Sequence, residues 1–369
     1  STLNIVLPVG ISFYTFQTLS YTIDIYRKQL KPTNDPIAFF AFVAFFPQLV
    51  AGPIERASHL LPQFYKTYKF NYQLVKSGLL LMTFGLFKKM IIADRAAILV
   101  NQVYNNPTEY YGFEIIVATV LFAFQIYCDF SGYSDIAIGA ARTMGFDLMK
   151  NFDSPYFSKS ITEFWRRWHI SLSTWFRDYV YIPLGGSRKG KYKTYANLFI
   201  VFLVSGLWHG AAMTFVIWGA IHGFFIVIEK ALTIIRKQIF TKKNSVLNYI
   251  IALPFTFFIV CFAWIFFRAN SLSDAFVFIS NINLKTPEHF FNDKIFELGL
   301  IKPELILLII AIVLLIIFEN VHKKVNMAKF ISKQYMPIRW LVYLVIAIVI
   351  LVFGIYGELA PKEFIYFQF

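Results

Sequence analysis

Apolar positions in this chain gather into long blocks separated by short polar stretches. A helix needs roughly 20 mainly apolar residues to cross a bilayer. Residues 246–267, 305–318 with their flanks, and 340–356 meet that length most clearly, and residues 79–92 and 113–128 are weaker candidates. Residues 36–50 are short and contain Pro47, which predicts a re-entrant or tilted element rather than a clean span. No internal repeat and no low-complexity linker is present. The pattern therefore predicts one all-α, polytopic membrane domain over residues 1–369. The chain starts at Ser1 in an apolar Gly/Pro segment, IVLPVGISFYTF, and reads as the continuation of something longer.

Residues 195–228 are unusual. They carry no Asp, Glu, Lys or Arg, and as one helix they would measure about 51 Å against a hydrocarbon core of about 30 Å. The segment must break, tilt steeply or fold back, and the glycines at 206, 210, 219 and 223 are the natural places. His209 and His222 lie inside it. Ionisable side chains at membrane depth are costly and usually face a cavity or a partner.

Composition agrees with the pattern. The chain is 57% apolar and 15% charged, against about 45–50% and 25% in soluble domains. Aromatic residues make up 19%, 43 of them Phe, which suits lipid-facing surface and the walls of an apolar tunnel. The net charge of +14 falls mostly in short segments between apolar blocks. That is the distribution of cytoplasmic loops and not of a nucleic-acid surface, for which no motif is present. Residues 187–193, 230–243 and 322–339 are strongly basic, while residues 269–304 balance their lysines with five acidic residues. With the basic segments in the cytoplasm, the C-terminus lies outside. Cys128 and Cys261 sit in apolar segments and give neither a disulfide framework nor a metal-ligand spacing.

One polar-rich stretch, SITEFWRRWHISLSTWFRDYVYIPLGGSRKGKYK, begins at Ser160. Ser160 and Glu163 have capping-box spacing, and Trp165, Trp168, Leu172, Trp175 and Tyr179 recur at steps of three and four. The spacing predicts one helix with an aromatic face, with Arg166 and Arg177 sharing the other side; standing alone, it would be an interfacial amphipathic helix.

It does not stand alone. Together with FFPQLVAGPIERA (residues 45–57), CDFSGYSDIAIG (128–139) and SGLWHGAAMTFVIWGAIHG (205–223), it resembles the membrane-bound O-acyltransferase superfamily. The YIPLGGSRKG segment resembles the alginate O-acetyltransferase branch in particular. The resemblance runs from PVGISFYTFQTLSY to the FIYFQF ending. It implies a ring of tilted transmembrane and re-entrant helices around a tunnel joining the two membrane faces. It also implies further helices ahead of residues 8–22, so that the domain is N-terminally incomplete. By the same resemblance His209 matches the family's invariant histidine and His169 a second frequent one. No permanently bound cofactor is expected; acetyl-CoA or another acyl thioester is the cytoplasmic donor. The expected partners are a periplasmic acetyltransferase and the polysaccharide synthesis and export machinery of a bacterial inner membrane.

The chemistry is consistent with those assignments. Acyl transfer from a thioester to a hydroxyl needs a base, and an imidazole with an ordinary pKa near 6.5, neutral when desolvated, suits the task. His209 is the candidate base, although a buried histidine bonded to a nearby carbonyl would look the same in sequence. His169 either touches the reacting groups or caps the Arg-rich helix. Arg166, Arg177, Trp165, Trp208 and Asp129 are the candidate substrate-binding residues. Headgroup contact is an equal reading of the arginines, and hydrogen bonding of Asp129 and Asp135 to the Arg cluster is the favoured reading of those two. His222, 13 positions beyond His209, reads as structural. Two rivals remain: D-alanyl transfer to teichoic acid, and a transport component whose histidines do no chemistry.

Overall fold

The computed structural model describes residues 10–239, 245–282, 298–323 and 327–357, with Phe296, Val325 and Phe364 besides. Residues 283–295 and 297 of the charge-balanced loop, part of the basic segment 230–243, the first residues of PVGISFYTFQTLSY and all of the FIYFQF ending but Phe364 lie outside the described residues, as does the C-terminus.

Every regular element among the described residues is helical. Helix α1 (Ile11–Tyr26) is followed by α2 (Pro36–Val43) and α3 (Ala57–Leu60). Asp35 caps α2 by accepting from the Ala38 N–H at 3.1 Å, Pro36 occupies its first position, and the chain then turns through Pro47. At eight residues α2 is too short to cross a bilayer. Helix α4 (Tyr72–Phe87) runs through a π-helical turn, Lys88–Ala93, into α5 (Asp94–Tyr104), and α6 (Phe113–Thr143) follows. Next come α7 (Ile161–Arg167), α8 (Ile170–Phe176) and a second π-helical turn, Arg177–Tyr181. The remaining elements are α9 (Lys191–His209), α10 (Met213–Ile239), α11 (Ser245–Arg268), α12 (Leu272–Ser280), α13 (Lys302–His322), α14 (Met327–Ser332) and α15 (Met336–Phe353).

Five segments are long and apolar enough to cross a membrane: Phe113–Thr143, Met213–Leu232, Ile250–Arg268, Lys302–His322 and Met336–Phe353. The last three overlap the three clearest apolar blocks of the sequence, and Lys302–His322 contains its block whole. The block at 113–128 is the first half of a 31-residue helix, whereas 79–92 falls in α4 and its π-helical turn and is not among the five.

Helix α6 is the axis of the bundle. The apolar window of α6 is 78% buried, against 6% for α15, which places α15 at the periphery. Glycine makes the central contact possible. A Cβ on Gly78 would lie 2.5 Å from the Gly139 carbonyl oxygen, and one on Gly85 would lie 2.5 Å from that of Gly132. Each glycine thus admits the other helix's backbone, seven residues apart on both α4 and α6, the small-residue packing that membrane helices use in place of a hydrophobic drive.

The same interface buries ions. Lys88 reaches Asp135 at 2.5 Å and donates to Ser131 Oγ at 2.8 Å. Lys89 spans Asp129 at 2.6 Å and Asp94 at 2.9 Å. The π-helical turn carries both lysines, and such a turn rotates the residues after it relative to a regular helix. Asp129 and Asp135 therefore do not bond to the Arg166–Arg177 region as the sequence suggested. Their counter-charges are two lysines whose place in an apolar block had hidden them.

Candidate functional site

The uncharged run breaks at one place. Helix α9 ends on His209, Gly210 is extended, and α10 starts at Met213. The two helices fold back on each other as a hairpin. A Cβ on Gly206 would meet the Phe215 carbonyl oxygen at 2.3 Å, and one on Gly219 that of Phe202 at 2.3 Å. Gly206, Gly219 and Gly223 are therefore packing positions rather than breaks, because they lie inside helices that touch backbone to backbone. Only Gly210 sits in the turn.

His209 is half-buried at the tip of this hairpin. Its ring lies 4.6 Å from that of Trp208, 5.0 Å from Trp218, 5.1 Å from Phe267 and 6.3 Å from Phe215, measured between centroids. The histidine thus occupies an aromatic enclosure built from α9, α10 and α11.

The stretch from Ser160 does not form one helix. Trp168 closes α7 in an extended conformation, and His169 adopts a left-handed one, with φ +42°, before α8 begins. For a non-glycine residue that backbone costs about 1–3 kcal/mol and persists only where its surroundings impose it. The surroundings here are Asn151. Its carbonyl accepts from the Ile170 N–H at 2.9 Å. Its Oδ1 accepts from the Ser171 N–H at 3.3 Å and Oγ at 2.9 Å and lies 3.2 Å from His169 Nδ1. Its Nδ2 donates to Ser134 Oγ at 3.2 Å. The bond from a backbone N–H identifies the amide oxygen, so the His169 proton sits on Nδ1 and Nε2 carries the lone pair. That Nε2 is buried and has no hydrogen-bond partner among the described residues.

The break also overturns the premise that Arg166 and Arg177 share a face, since they belong to different helical segments. Both are exposed. Arg177 Nε donates to Asp178 at 2.7 Å, and Asp178 is held in turn by Arg56 at 3.2 Å. The aromatic residues of the stretch face inward: Trp165, Trp168, Leu172 and Trp175 are all buried, which removes the interfacial-helix reading. The capping box is half formed. Ser160 Oγ accepts from the Glu163 N–H at 3.0 Å, but Glu163 accepts from the Lys159 N–H at 2.9 Å rather than from Ser160.

The two histidines are linked through helix α1 and Trp208, whose ring lies 4.6 Å from that of His209. Helix α1 covers both, with Phe13 stacked on His169 at 6.4 Å and Phe16 against Trp208 at 5.0 Å. Glu229, about four turns along α10, accepts from the Ile161 N–H at 2.5 Å and from the Thr162 N–H and hydroxyl at 2.9 and 2.7 Å. This carboxylate completes the N-terminus of α7, where negative charge is favoured.

Trp165 and Trp208 lie at this site, next to His222 and His209 respectively. Asp129 is accounted for by Lys89. Asn151 and Glu229 were not anticipated. Glu229 had a signal, as the first charge after an uncharged run of that length. Asn151 had none, because it comes from an irregular segment 18 residues before His169. Replacing Asn151 by Leu is expected to lower the thermal midpoint of the protein in detergent, since it removes the partner that holds His169 left-handed and leaves the Ser171 hydroxyl unmet; an unchanged midpoint would show that His169 needs no such support.

The sequence profile of the MBOAT, membrane-bound O-acyltransferase family, matches residues 26–272. A probable alginate O-acetylase of Pseudomonas putida is 46% identical over 271 residues, covering 73% of this chain and 54% of the relative. The corresponding Pseudomonas aeruginosa protein is 46% identical over 275 residues, covering 74% and 51%. A peptidoglycan O-acetyltransferase of Helicobacter pylori is 38% identical over 300 residues, covering 74% and 56%. The chain spans about half the length of these curated relatives.

Proposed function

We propose that this chain, which belongs to the membrane-bound O-acyltransferase family, is the acyltransferase part of a membrane enzyme that O-acetylates an exported polysaccharide. The observation that carries the reading is that one helix, α1, packs against both His169, whose Nε2 lone pair is left open, and Trp208 beside His209, at the break between two apolar helices. The names of the relatives, alginate O-acetylases and a peptidoglycan O-acetyltransferase, support a polysaccharide as the final acceptor.

In the proposed reaction His209 takes the proton of an acceptor hydroxyl as its oxygen attacks the thioester carbonyl. The C–O bond forms, the C–S bond breaks, and the proton passes from His209 to the departing thiolate. Donor and acceptor hence exchange an acetyl group for a proton and no net charge is left in the apolar site. The reacting hydroxyl has one proton and that goes to His209, so His169 Nε2 orients the acceptor by accepting a hydrogen bond from a second donor group on it. Trp165 and Trp208 wall the acyl group, and the exposed Arg166 and Arg177 receive the phosphates of a cytoplasmic donor such as acetyl-CoA. Basic loops on the cytoplasmic side, a tunnel to the outer face of a bacterial inner membrane, and transfer through a periplasmic partner acetyltransferase complete the proposal.

The test is chemical. Deleting the gene should remove base-labile acetate from the exported polymer, and the intact gene should restore it. Loss of ester-linked alanine instead would favour D-alanyl transfer, a reaction named for relatives 28–29% identical to this chain. An unchanged ester content would sink both.

A further inference from the structure

His222 presents a problem that His209 does not. It is 0% exposed, and neither of its ring nitrogens has a hydrogen-bond partner among the described residues. Neutral imidazole has one N–H and one lone pair, so both a donor and an acceptor are stranded at membrane depth, where an unmet polar group is most costly. Its neighbours share the condition. Trp165 and Trp218 are 8% and 1% exposed, and the indole N–H of each is also unpartnered. The three rings enclose one another, with centroids 5.1 Å apart for Trp165–His222, 5.2 Å for Trp218–His222 and 5.7 Å for Trp165–Trp218. Contacts of N–H groups with aromatic faces substitute only weakly for hydrogen bonds.

We propose that His222, with the indole N–H groups of Trp165 and Trp218, forms a buried binding site for one neutral hydroxyl group, a single ring away from His209. Trp218 is that ring, 5.0 Å from His209 on one side and 5.2 Å from His222 on the other. The chemistry selects the ligand. A carbonyl would use the donors and leave the bare histidine nitrogen unmet. A phosphate or carboxylate would find no counter-charge, since the other rings around His222 are Phe164, Phe202 and Trp264. A hydroxyl can donate to the bare histidine nitrogen and accept from both indole N–H groups, and so meets three of the four groups where a carbonyl meets two. The hydroxyl belongs either to a resident water or to a non-reacting hydroxyl of the acyl acceptor. The inference rests on His209 as the base, because it places the ligand beside the reacting group.

The test is His222→Phe in the whole gene product, which keeps a planar ring and removes both polar atoms. Acetate on the exported polymer should fall about tenfold, the equivalent of one lost hydrogen bond, and His222→Gln, with one donor and one acceptor, should restore most of it. The thermal midpoint of the purified protein in detergent, without acceptor, separates the sources. A lower midpoint in His222→Phe that His222→Gln restores identifies a resident water, and a lower midpoint that Gln leaves unrestored is overpacking and overturns the proposal. A higher midpoint with diminished transfer identifies the acceptor hydroxyl. An unchanged or higher midpoint with undiminished transfer overturns the proposal, and so does a loss that Gln does not repair. If the Phe variant fails to reach the membrane, Trp165→Phe, which drops one donor, is read by the same criteria. Activity surviving in His209→Ala would overturn the base assignment whatever His222 does; a dead His209→Ala beside a wild-type-like His222→Phe removes the hydroxyl site alone.

Discussion

Replacing His209 by alanine is expected to lower acetyl transfer by about 10²–10⁴-fold, the range of a positioned general base, while the protein stays in the membrane at its normal level. The backbone at this point tolerates the change, because His209 is the last residue of α9 and the reversal is made by the next residues. Gly210 itself is less replaceable: a Cβ there would meet the Phe215 ring at 2.6 Å. Alanine removes ring contacts to Trp208, Trp218 and Phe267, so thermal stability should decline modestly, and His209→Gln checks that packing is not the cause. Ester-linked acetate on the polymer is the readout for activity, and immunodetection in washed membranes the readout for level. Undiminished acetate in both variants would remove His209 from the mechanism. A transport component, by contrast, would keep the flux of its solute after either change.

The largest effect on stability is expected from Lys89→Met. Lys89 is the shared counter-ion of Asp94 and Asp129, whose side chains are only 6% and 4% exposed. Methionine preserves the length of the side chain and abolishes its charge. Two carboxylates are then left against each other in the bundle interior. Breaking a buried ion pair costs about 3–5 kcal/mol, a large part of a typical domain stability of about 5–15 kcal/mol. The variant should fail to accumulate, or should melt far below the wild type in detergent. Adding Asp94→Asn and Asp129→Asn removes both stranded charges and should recover most of the loss. A single Lys89→Met variant within about 2 °C of the wild type would show these ions to be solvated rather than buried.

Much of the fold was legible, for a simple reason. Transmembrane helices advertise themselves by length and apolarity, so residues 246–267, 305–318 and 340–356 were read correctly from hydropathy alone. The need for a break within 195–228 followed from helix rise against membrane thickness. What could not be read was the local backbone. The stretch from Ser160 has sound helical periodicity, and nothing in WRRWHISL announces that His169 will turn left-handed. That conformation is imposed by Asn151, a tertiary partner. The glycines gave a related error: their tolerance of a break was recognised at four positions, but three of them serve close helix approach. The buried ions were half visible. Asp129 and Asp135 stood out in an apolar segment, whereas Lys88 and Lys89 were hidden inside the weak candidate span 79–92, so the pairing across α4 and α6 was assigned to other cations.

The grip of Glu229 on the start of α7 has a mechanical side. Helix α10 leaves the reversal beside His209 and, four turns on, holds the segment that leads to His169. Hairpin and broken helix are thereby braced into one frame that carries both histidines. Helix α1 is tied differently, through the Phe13 and Phe16 rings and the Trp175 indole N–H bonded to the Phe16 carbonyl at 3.1 Å. Of the walls around the histidines it is the one that can be recut without disturbing the frame. Side-chain volume at positions 13 and 16 is therefore the dimension along which relatives of this enzyme can diverge in the size of the group they carry.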